Sequence, residues 1–360
     1  MRAMLLAAGF GDRMLPLTLT VPKAAIPVLG RPLAVQILRR LAQAGVSCAV
    51  LNLHHLPNVM RQLFEPGKSA GLPSIEFSHE ETLLGTAGGL RRAADRLRGE
   101  GPILVCNADT LSDVDVAAAL DEHRRSRRLA TLVLTDHRPG YSKVDVDADG
   151  TIISLAGVPE ADPARVAGSC LYTGVQIIEE EILDRIPERF PSDIVRDVYR
   201  DLLPSGRVGS YLHRGFWWEF GSPARYIEGS WRLLELCCER GERITEHDPV
   251  QALDRAIASI GPGAKQHETA VFNGRVGLGL ASYVSKGSRV EDTVVMPEAW
   301  IGPDCRLNRV VVGPGVEIPA GFEAANALVC ADRTGRAEMT AGIVRRDGLL
   351  IQPFESVPAG

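Results

Sequence analysis

No apolar run in the 360-residue chain approaches the ~18 residues a membrane-crossing helix needs, which excludes a helical membrane span. The opening stretch Met1-Arg2-Ala3-Met4-Leu5-Leu6-Ala7-Ala8-Gly9 breaks at Gly9 and meets Asp12 and Arg13, too short an apolar core for a secretory leader. A basic excess is missing too. Lys+Arg number 40 against 45 Asp+Glu, a net charge of -5, which argues against a nucleic-acid partner. The seven cysteines include no Cys-x-x-Cys pair, and most sit in apolar stretches. They read as buried free thiols of a reduced, cytoplasmic protein. The eight histidines lack metal-ligand spacing and read as structural. The rest is ordinary for a globular protein: 45% hydrophobic and 24% charged residues, with length enough for two domains.

Apolar runs alternate with helical periodicity through the first 135 residues. Residues 2–8, 46–53, 74–78, 102–107 and 130–135 read as strands. Residues 32–44, 58–64, 88–97 and 114–125 read as helices, the first closed by Gly45. Arg124, Arg125, Arg127 and Arg128 cluster at the end of the last helix, where the helix dipole favours cations. This alternation predicts a doubly wound mixed α/β sheet, with ligands beyond the carboxyl ends of its strands. A hairpin comes next at 144–147 and 152–155 around Asp149-Gly150, then a strand at 171–178 and a helix at 231–238. Residues 241–268 are polar and punctuated by Ile-Gly-Pro-Gly, which reads as a linker between a 1–240 domain and a second domain starting at residue 269. Over 269–332, Val284, Val290, Ile301 and Leu307 keep a beat near six residues, with Gly or Pro between, the mark of a parallel β-helix. Residues 333–360 read as a strand and tail.

The chemistry concentrates in Leu6-Ala7-Ala8-Gly9-Phe10-Gly11-Asp12-Arg13, continued by Pro16-Leu17-Thr18, Pro22-Lys23 and Pro27-Val28. A strand enters a glycine turn whose backbone N–H groups can form an anion nest. Arg13 offers a rigid charged fork for phosphate and Lys23 a mobile point charge. This is no Walker loop, because Asp12-Arg13 follows Gly11. It is no dinucleotide fingerprint either, because Leu15 stands where the third glycine belongs, which disfavours a Rossmann oxidoreductase.

The full string resembles the signature LAAGxGTRxxPLT…PKxxxPV of the sugar-1-phosphate nucleotidyltransferases, the NDP-sugar pyrophosphorylases. Further stretches match. Glu81 to Gly89 (ETLLGTAGG) resembles the family's nucleoside-binding turn, Asn107-Ala108-Asp109 its metal and sugar strand end, and Tyr172-Thr173-Gly174 its sugar strand. Trp218-Glu219-Phe220-Gly221-Ser222-Pro223 resembles its second metal motif, WxDxGTP. The resemblance covers roughly residues 1–235. It implies an enzyme that joins a nucleoside monophosphate from an NTP to a sugar 1-phosphate, releasing pyrophosphate. By the same resemblance Leu6, Ala7, Ala8, Gly9, Gly11, Gly85, Thr86, Ala87 and Gly88 hold the nucleotide. Arg13 and Lys23 grip its phosphates. Asn107, Ser142, Thr173 and Gly174 face the sugar, and Asp109 and Glu219 carry Mg²⁺. The resemblance also implies that the β-helix is left-handed.

Within the family, Leu84 to Gly88 and the β-helix tail look most like the mannose-1-phosphate guanylyltransferases. Uridylyl- or thymidylyltransfer to another sugar phosphate is the alternative. The chain departs from the family pattern at four places. Asp12 replaces a threonine, Glu219 an aspartate and Ser142 a glycine. Leu155 to Pro159 (LAGVP) lacks the lysine that binds the sugar phosphate, leaving Lys143 and Arg165 as the cations that could supply it. These departures support a second reading, a non-catalytic nucleotide-sugar-binding regulator. A short solenoid exposes its edges, so a homo-oligomer is expected.

Overall fold

The computed structural model describes residues 1–65, 67–68, 70–240, 249–333 and 342–354. They group into two compact units. One holds Met1–Phe10 and Ile37–Trp218; the other holds Gly11–Gln36 and the chain from Glu219 onward.

The first unit is built on β1 (Arg2–Leu6), whose three inner residues are fully buried. It pairs in parallel with Cys48–Leu53 on one side and Ile103–Asn107 on the other, and Ser74–His79 extends the parallel edge. Buried on both faces, such strands read as unbroken apolar runs rather than alternating ones. Beyond Ile103–Asn107 the sheet turns antiparallel. The long strand Gly168–Ile178 pairs there, and also with Ala130–Asp136 and Lys143–Val146. Lys143–Val146 and Ile152–Leu155 form the expected hairpin, and Val208–Leu212 joins Ala130–Asp136 in parallel. The result is a mixed sheet of nine strands among the described residues.

Helices α1 (Leu33–Gln43), α2 (Pro57–Gln62) and α3 (Gly85–Arg92) connect the parallel strands, and Val116–Ser126 comes after them. α1 closes as expected at Gly45, where Val46 N–H bonds Leu41 O at 3.0 Å. α3 starts earlier than its sequence pattern predicts, at Gly85 instead of Gly88. The extra turn is held by Ser192 O, which accepts from Ala87 N–H at 3.0 Å, a partner no local pattern reveals. The helix also breaks at Ala93, and Ala94–Leu97 continues separately. The arginine cluster at the end of Val116–Ser126 is partly structural, since Arg128 binds Gly150 O, Asp149 O and the Thr151 hydroxyl. The seven cysteines are free. Burial pushes the thiols of Cys106 and Cys330 up to about 12, which keeps them protonated and inert.

In the second unit the parallel coil is present. Phe272 aligns with Val290, Val290 with Leu307 and Leu307 with Ala324, so each coil takes 17 or 18 residues, close to three six-residue beats. A second parallel ladder runs Lys265–Gln266, Tyr283–Val284, Trp300–Ile301, Glu317–Ile318. Val284, Val290, Ile301 and Leu307 all point into one apolar core, and the parallel pairing is consistent with a left-handed β-helix. Its corners stack: Gly274, Asp292, Arg309 and Asn326 all have positive φ, between 42° and 65°. The Asp292 carboxylate secures its corner by accepting from Arg275 N–H at 3.0 Å and Arg275 Nε at 2.8 Å.

Three sequence expectations change here. Residues 249–268 are not a bare linker: Val250–Ala252 and Ala256–Ile260 add strands to the coil, while 241–248 lie outside the described residues. The helix expected at 231–238 spans Pro223–Arg240, opened by Pro223 at a position where proline fits. Of residues 333–360, Val344–Arg346 and Leu349–Pro353 form a hairpin, while 334–341 and 355–360 lie outside the described residues. The helix Pro223–Arg240 belongs with the coil because its carboxylates meet coil arginines. Glu235 takes Arg275 at 3.0 Å and Glu228 takes Arg309 at 2.7 Å. Tyr226 O–H donates to Pro27 O at 2.5 Å, tying the Gly11–Gln36 segment to the same helix.

Ile301 is fully buried in the coil core. Ile301→Ala should lower unfolding stability by about 2–5 kcal/mol in urea titration followed by tryptophan fluorescence.

Candidate active site

Register brings the strand ends of the first unit into line. Leu6 sits opposite both Asn52 and Asn107. Past Leu6 the chain leaves the sheet. Ala8 is buried, Gly9 and Phe10 are exposed, and the Phe10 ring stands edge-on to His54 at 5.1 Å. Ala7 N–H, the next donor along the strand, is taken by Asn52 Oδ1 at 2.7 Å. Asn52 Nδ2 in turn donates to Glu80 Oε1 at 2.8 Å, and Glu80 Oε2 accepts from Leu84 N–H at 3.0 Å.

Asn107 and Asp109 flank the buried Ala108, whose N–H bonds Leu6 O at 3.1 Å. Gly174 has φ +82°, and a Cβ there would lie 2.7 Å from Asn107 Nδ2, so this glycine gives the asparagine its room. Thr173 presents no side chain to solvent. It is fully buried, its hydroxyl donates to Val133 O at 2.8 Å, and its carbonyl accepts from Trp217 Nε1 at 2.8 Å. Trp217 is therefore packing, as its buried ring indicates. Ser142 is exposed beside Tyr141, whose ring stands edge-on to Trp217 at 5.4 Å. Lys143 and Arg165 are each paired, Lys143 to Asp145 at 3.1 Å and Arg165 to Asp147 at 3.7 Å.

The Gly85–Gly88 turn is shaped by protein. Gly85 has φ +78°, and a Cβ would fall 2.3 Å from Ser192 O; at Gly88 it would meet Phe190 and Leu84 at 2.8 Å. Thr86 Oγ1 donates to Asp193 Oδ2 at 3.0 Å and accepts from Ile194 N–H at 2.9 Å. The neighbouring Asp197 holds that loop through Asp193 N–H at 2.7 Å. The Arg196 guanidinium, hydrogen-bonded to Asp197, keeps its carboxyl well below the usual carboxylate range. Gly9 is the opposite case: a Cβ there meets nothing within 4 Å, so the space over it is open to a ligand.

The cations lie in the second unit. Gly11, at φ +74°, opens the turn Asp12–Met14, and Lys23 begins the turn Lys23–Ala25. Arg13 Nη2 bonds Glu219 Oε1 at 2.8 Å while its side chain stays 61% exposed. Arg225 Nη1 holds Glu219 Oε2 at 2.5 Å and is only 19% exposed. Asp12 is exposed, and the carboxylate that pairs Arg13 is Glu219. Glu219 thus bridges two guanidinium groups, and Arg13 is the more exposed of the two.

Among the described residues no three metal-ligating side chains gather. A small divalent cation can be carried by one or two carboxylates together with substrate phosphates. Asp109 and Glu219 are hard oxygen donors of that kind. For Glu219 to accept a cation, Oε1 exchanges Arg13 and keeps Arg225. The sequence did not single out Asn52, Glu80, Arg225 or Asp193. Asn52 alone left a trace, as an amide inside the otherwise apolar run Ala49 to Leu53.

The family model for nucleotidyl transferases matches residues 2–235, and that for a GlmU-like C-terminal hexapeptide region matches residues 263–344. The chain belongs to the nucleotidyl transferase family, as a sugar-1-phosphate nucleotidyltransferase. It is 30% identical to the mannose-1-phosphate guanylyltransferase of Mycobacterium tuberculosis over 331 residues, covering 89% of this chain and 81% of that protein. The mannose-1-phosphate guanyltransferases of Emericella nidulans (28% over 340 residues, 92% of this chain and 91% of that one) and Candida albicans (27% over 317 residues, 87% and 86%) are similar along most of their length. Family members generally use a divalent metal. Among the described residues no helix is long and apolar enough to cross a membrane.

The two glycines give a paired test. Gly85→Ala should lower stability by more than about 2 kcal/mol, from strain at positive φ and the clash with Ser192 O. Gly9→Ala should leave the melting temperature unchanged but weaken nucleotide binding measured by calorimetry.

Proposed function

We propose that this chain transfers a guanylyl group from GTP to mannose 1-phosphate, giving GDP-mannose and pyrophosphate. The carrying observation is Arg13, exposed at 61% yet oriented on Glu219, a permanent charge poised for a phosphate chain. The shared activity in the names of the relatives supports the choice of base and sugar.

In the proposed reaction a phosphate oxygen of mannose 1-phosphate attacks the α-phosphorus of GTP. The bond to the β-phosphate breaks, and its electron pair leaves with pyrophosphate. The nucleophile is already ionised at neutral pH, so no general base is required. The work is alignment and charge neutralisation. Arg13 takes the β- and γ-phosphates, and Lys23 sits toward the α-phosphate. Backbone groups of Leu6, Ala7, Ala8, Gly9 and Gly11 line the triphosphate, with the open face at Gly9. Gly85, Thr86, Ala87 and Gly88 support the nucleoside. Asn107, given its room by Gly174, faces the sugar, with Ser142 at the rim. Asp109 and Glu219 would hold Mg²⁺, which when bound supplies positive charge to the departing pyrophosphate. Lys143 or Arg165 meets the sugar phosphate by exchanging its present carboxylate partner.

One panel tests base and sugar together. Pyrophosphate release with Mg²⁺ is followed for GTP, UTP, dTTP, ATP and CTP, each with mannose 1-phosphate and glucose 1-phosphate. Release with GTP and mannose 1-phosphate, abolished by Asp109→Ala, is expected. Release with another pair moves the chain to a uridylyl- or thymidylyltransferase. Nucleotide-sugar binding without turnover makes it a regulator.

We also propose that the chain is cytoplasmic, in line with its free cysteines, and a homo-oligomer, because the coil presents an aromatic pair at its surface. Tyr283 and Trp300 lie 4.5 Å apart, and Trp300 is 51% exposed. Light scattering on the full chain should give a multiple of 38.9 kDa, and a monomer mass rules the assembly out.

A further inference from the structure

We propose that Asn52 and Glu80 are positioning residues for the nucleotide. They act as a buried polar relay that sets the distance between the Leu6–Gly9 turn and the Leu84–Gly88 turn. The inference rests on the nucleotidyl-transfer reading above and adds two residues to it.

The relay has four members and three bonds. Ala7 N–H donates to Asn52 Oδ1 at 2.7 Å, Asn52 Nδ2 donates to Glu80 Oε1 at 2.8 Å, and Leu84 N–H donates to Glu80 Oε2 at 3.0 Å. Asn52 is 4% exposed and Glu80 1%. In such a setting each bond is strong and each mismatch expensive, because no water can stand in for a lost partner. The two ends of the relay are backbone donors, one in each turn that faces the nucleotide. Moving either side chain therefore moves backbone that contacts substrate.

The surroundings are cut to fit the pair. Glu80 enters the site because its N–H continues the sheet onto Leu53 O at 2.8 Å. Its carbonyl accepts from His54 Nδ1 at 2.9 Å. α3 crosses directly above. A Cβ at Gly89 would lie 2.8 Å from Asn52 Nδ2 and 2.9 Å from Glu80 Oε1, so only glycine lets the helix pass. The pair thus has one polarity: amide oxygen toward Ala7, amide nitrogen toward Glu80, and both Glu80 oxygens accepting.

That polarity supplies the test. Glu80→Gln sets an amide N–H against either Asn52 Nδ2 or Leu84 N–H, donor on donor. Asn52→Asp sets a carboxylate oxygen against Glu80, acceptor on acceptor. The double variant N52D/E80Q restores every bond. The carboxylate introduced in place of Asn52 accepts from Ala7 N–H and from the amide introduced in place of Glu80. The carbonyl oxygen of that amide accepts from Leu84 N–H.

Steady-state KM for GTP and for mannose 1-phosphate, kcat and melting temperature would be measured for the wild type and the three variants. Each single variant should raise the KM for GTP about tenfold, with the KM for mannose 1-phosphate nearly unchanged. The double variant should return the GTP value to within about threefold of wild type. Wild-type turnover with singles that lose only melting temperature, or a double variant no better than the singles in GTP KM, overturns the relay. A wild type that turns over no pair in the panel overturns the functional reading first and the relay with it. Singles too unstable to assay leave the double variant, whose near-normal GTP KM supports the relay and whose raised KM overturns it.

Discussion

Parallel pairing on both sides of β1 is the constraint from which the first unit derives. It aligns Leu6, Asn52 and Asn107 on one row, where β1 and Ile103–Asn107 end and Cys48–Leu53 runs one residue further. An asparagine at such a position needs partners, since an unpaired amide inside a sheet is costly. Asn52 finds Ala7 and Glu80, and each asparagine is given room by a glycine from another element. Gly89 leaves space for Asn52 and Gly174 for Asn107. Recognition chemistry at the carboxyl edge of the sheet is thus a consequence of where three strands end within a residue of one another, as in open α/β sheets generally.

In the second unit the governing quantity is charge. Glu219 carries one negative charge against the two guanidinium groups of Arg13 and Arg225, with Lys23 on the same segment. The most exposed of these groups is Arg13. Glutamate in place of the family's aspartate reaches one methylene further, and its two oxygens serve the two arginines separately. The half-buried Arg225 fixes the carboxylate, and the carboxylate aims Arg13. Preorganised charge of this kind reorganises little when substrate charge shifts.

Much of this was legible in the sequence because it depends on local pattern. Apolar runs marked the parallel strands, and a six-residue beat marked the coil. The signature around Arg13 and Lys23 marked the phosphate chemistry. What escaped depends on partners distant along the chain. The first turn of α3 forms because Ser192 O meets Ala87 N–H, more than a hundred residues away in sequence. Within the stretch read as a linker, 241–268, Val250–Ala252 and Ala256–Ile260 become strands because neighbouring coils offer edges to pair with, and polar composition does not report that. Thr173 looked like a sugar contact from its motif, but Val133 O takes its hydroxyl. Glu80 sat unnoticed beside Glu81, since only burial separates the carboxylate that holds the turn from its exposed neighbour.

The coil carries an implication for how such chains change length. Three features repeat once per 17 or 18 residues: the inward apolar row, the outward row and the left-handed corners. A residue inserted within a strand puts these features out of step and turns core side chains outward, whereas the corner at Gly274 absorbs the one-residue difference between coils as a shift of register. An insertion of one whole coil disturbs none of them, because the new turn presents the same edges above and below. Growth and loss of coils in this half of the molecule therefore come in whole turns.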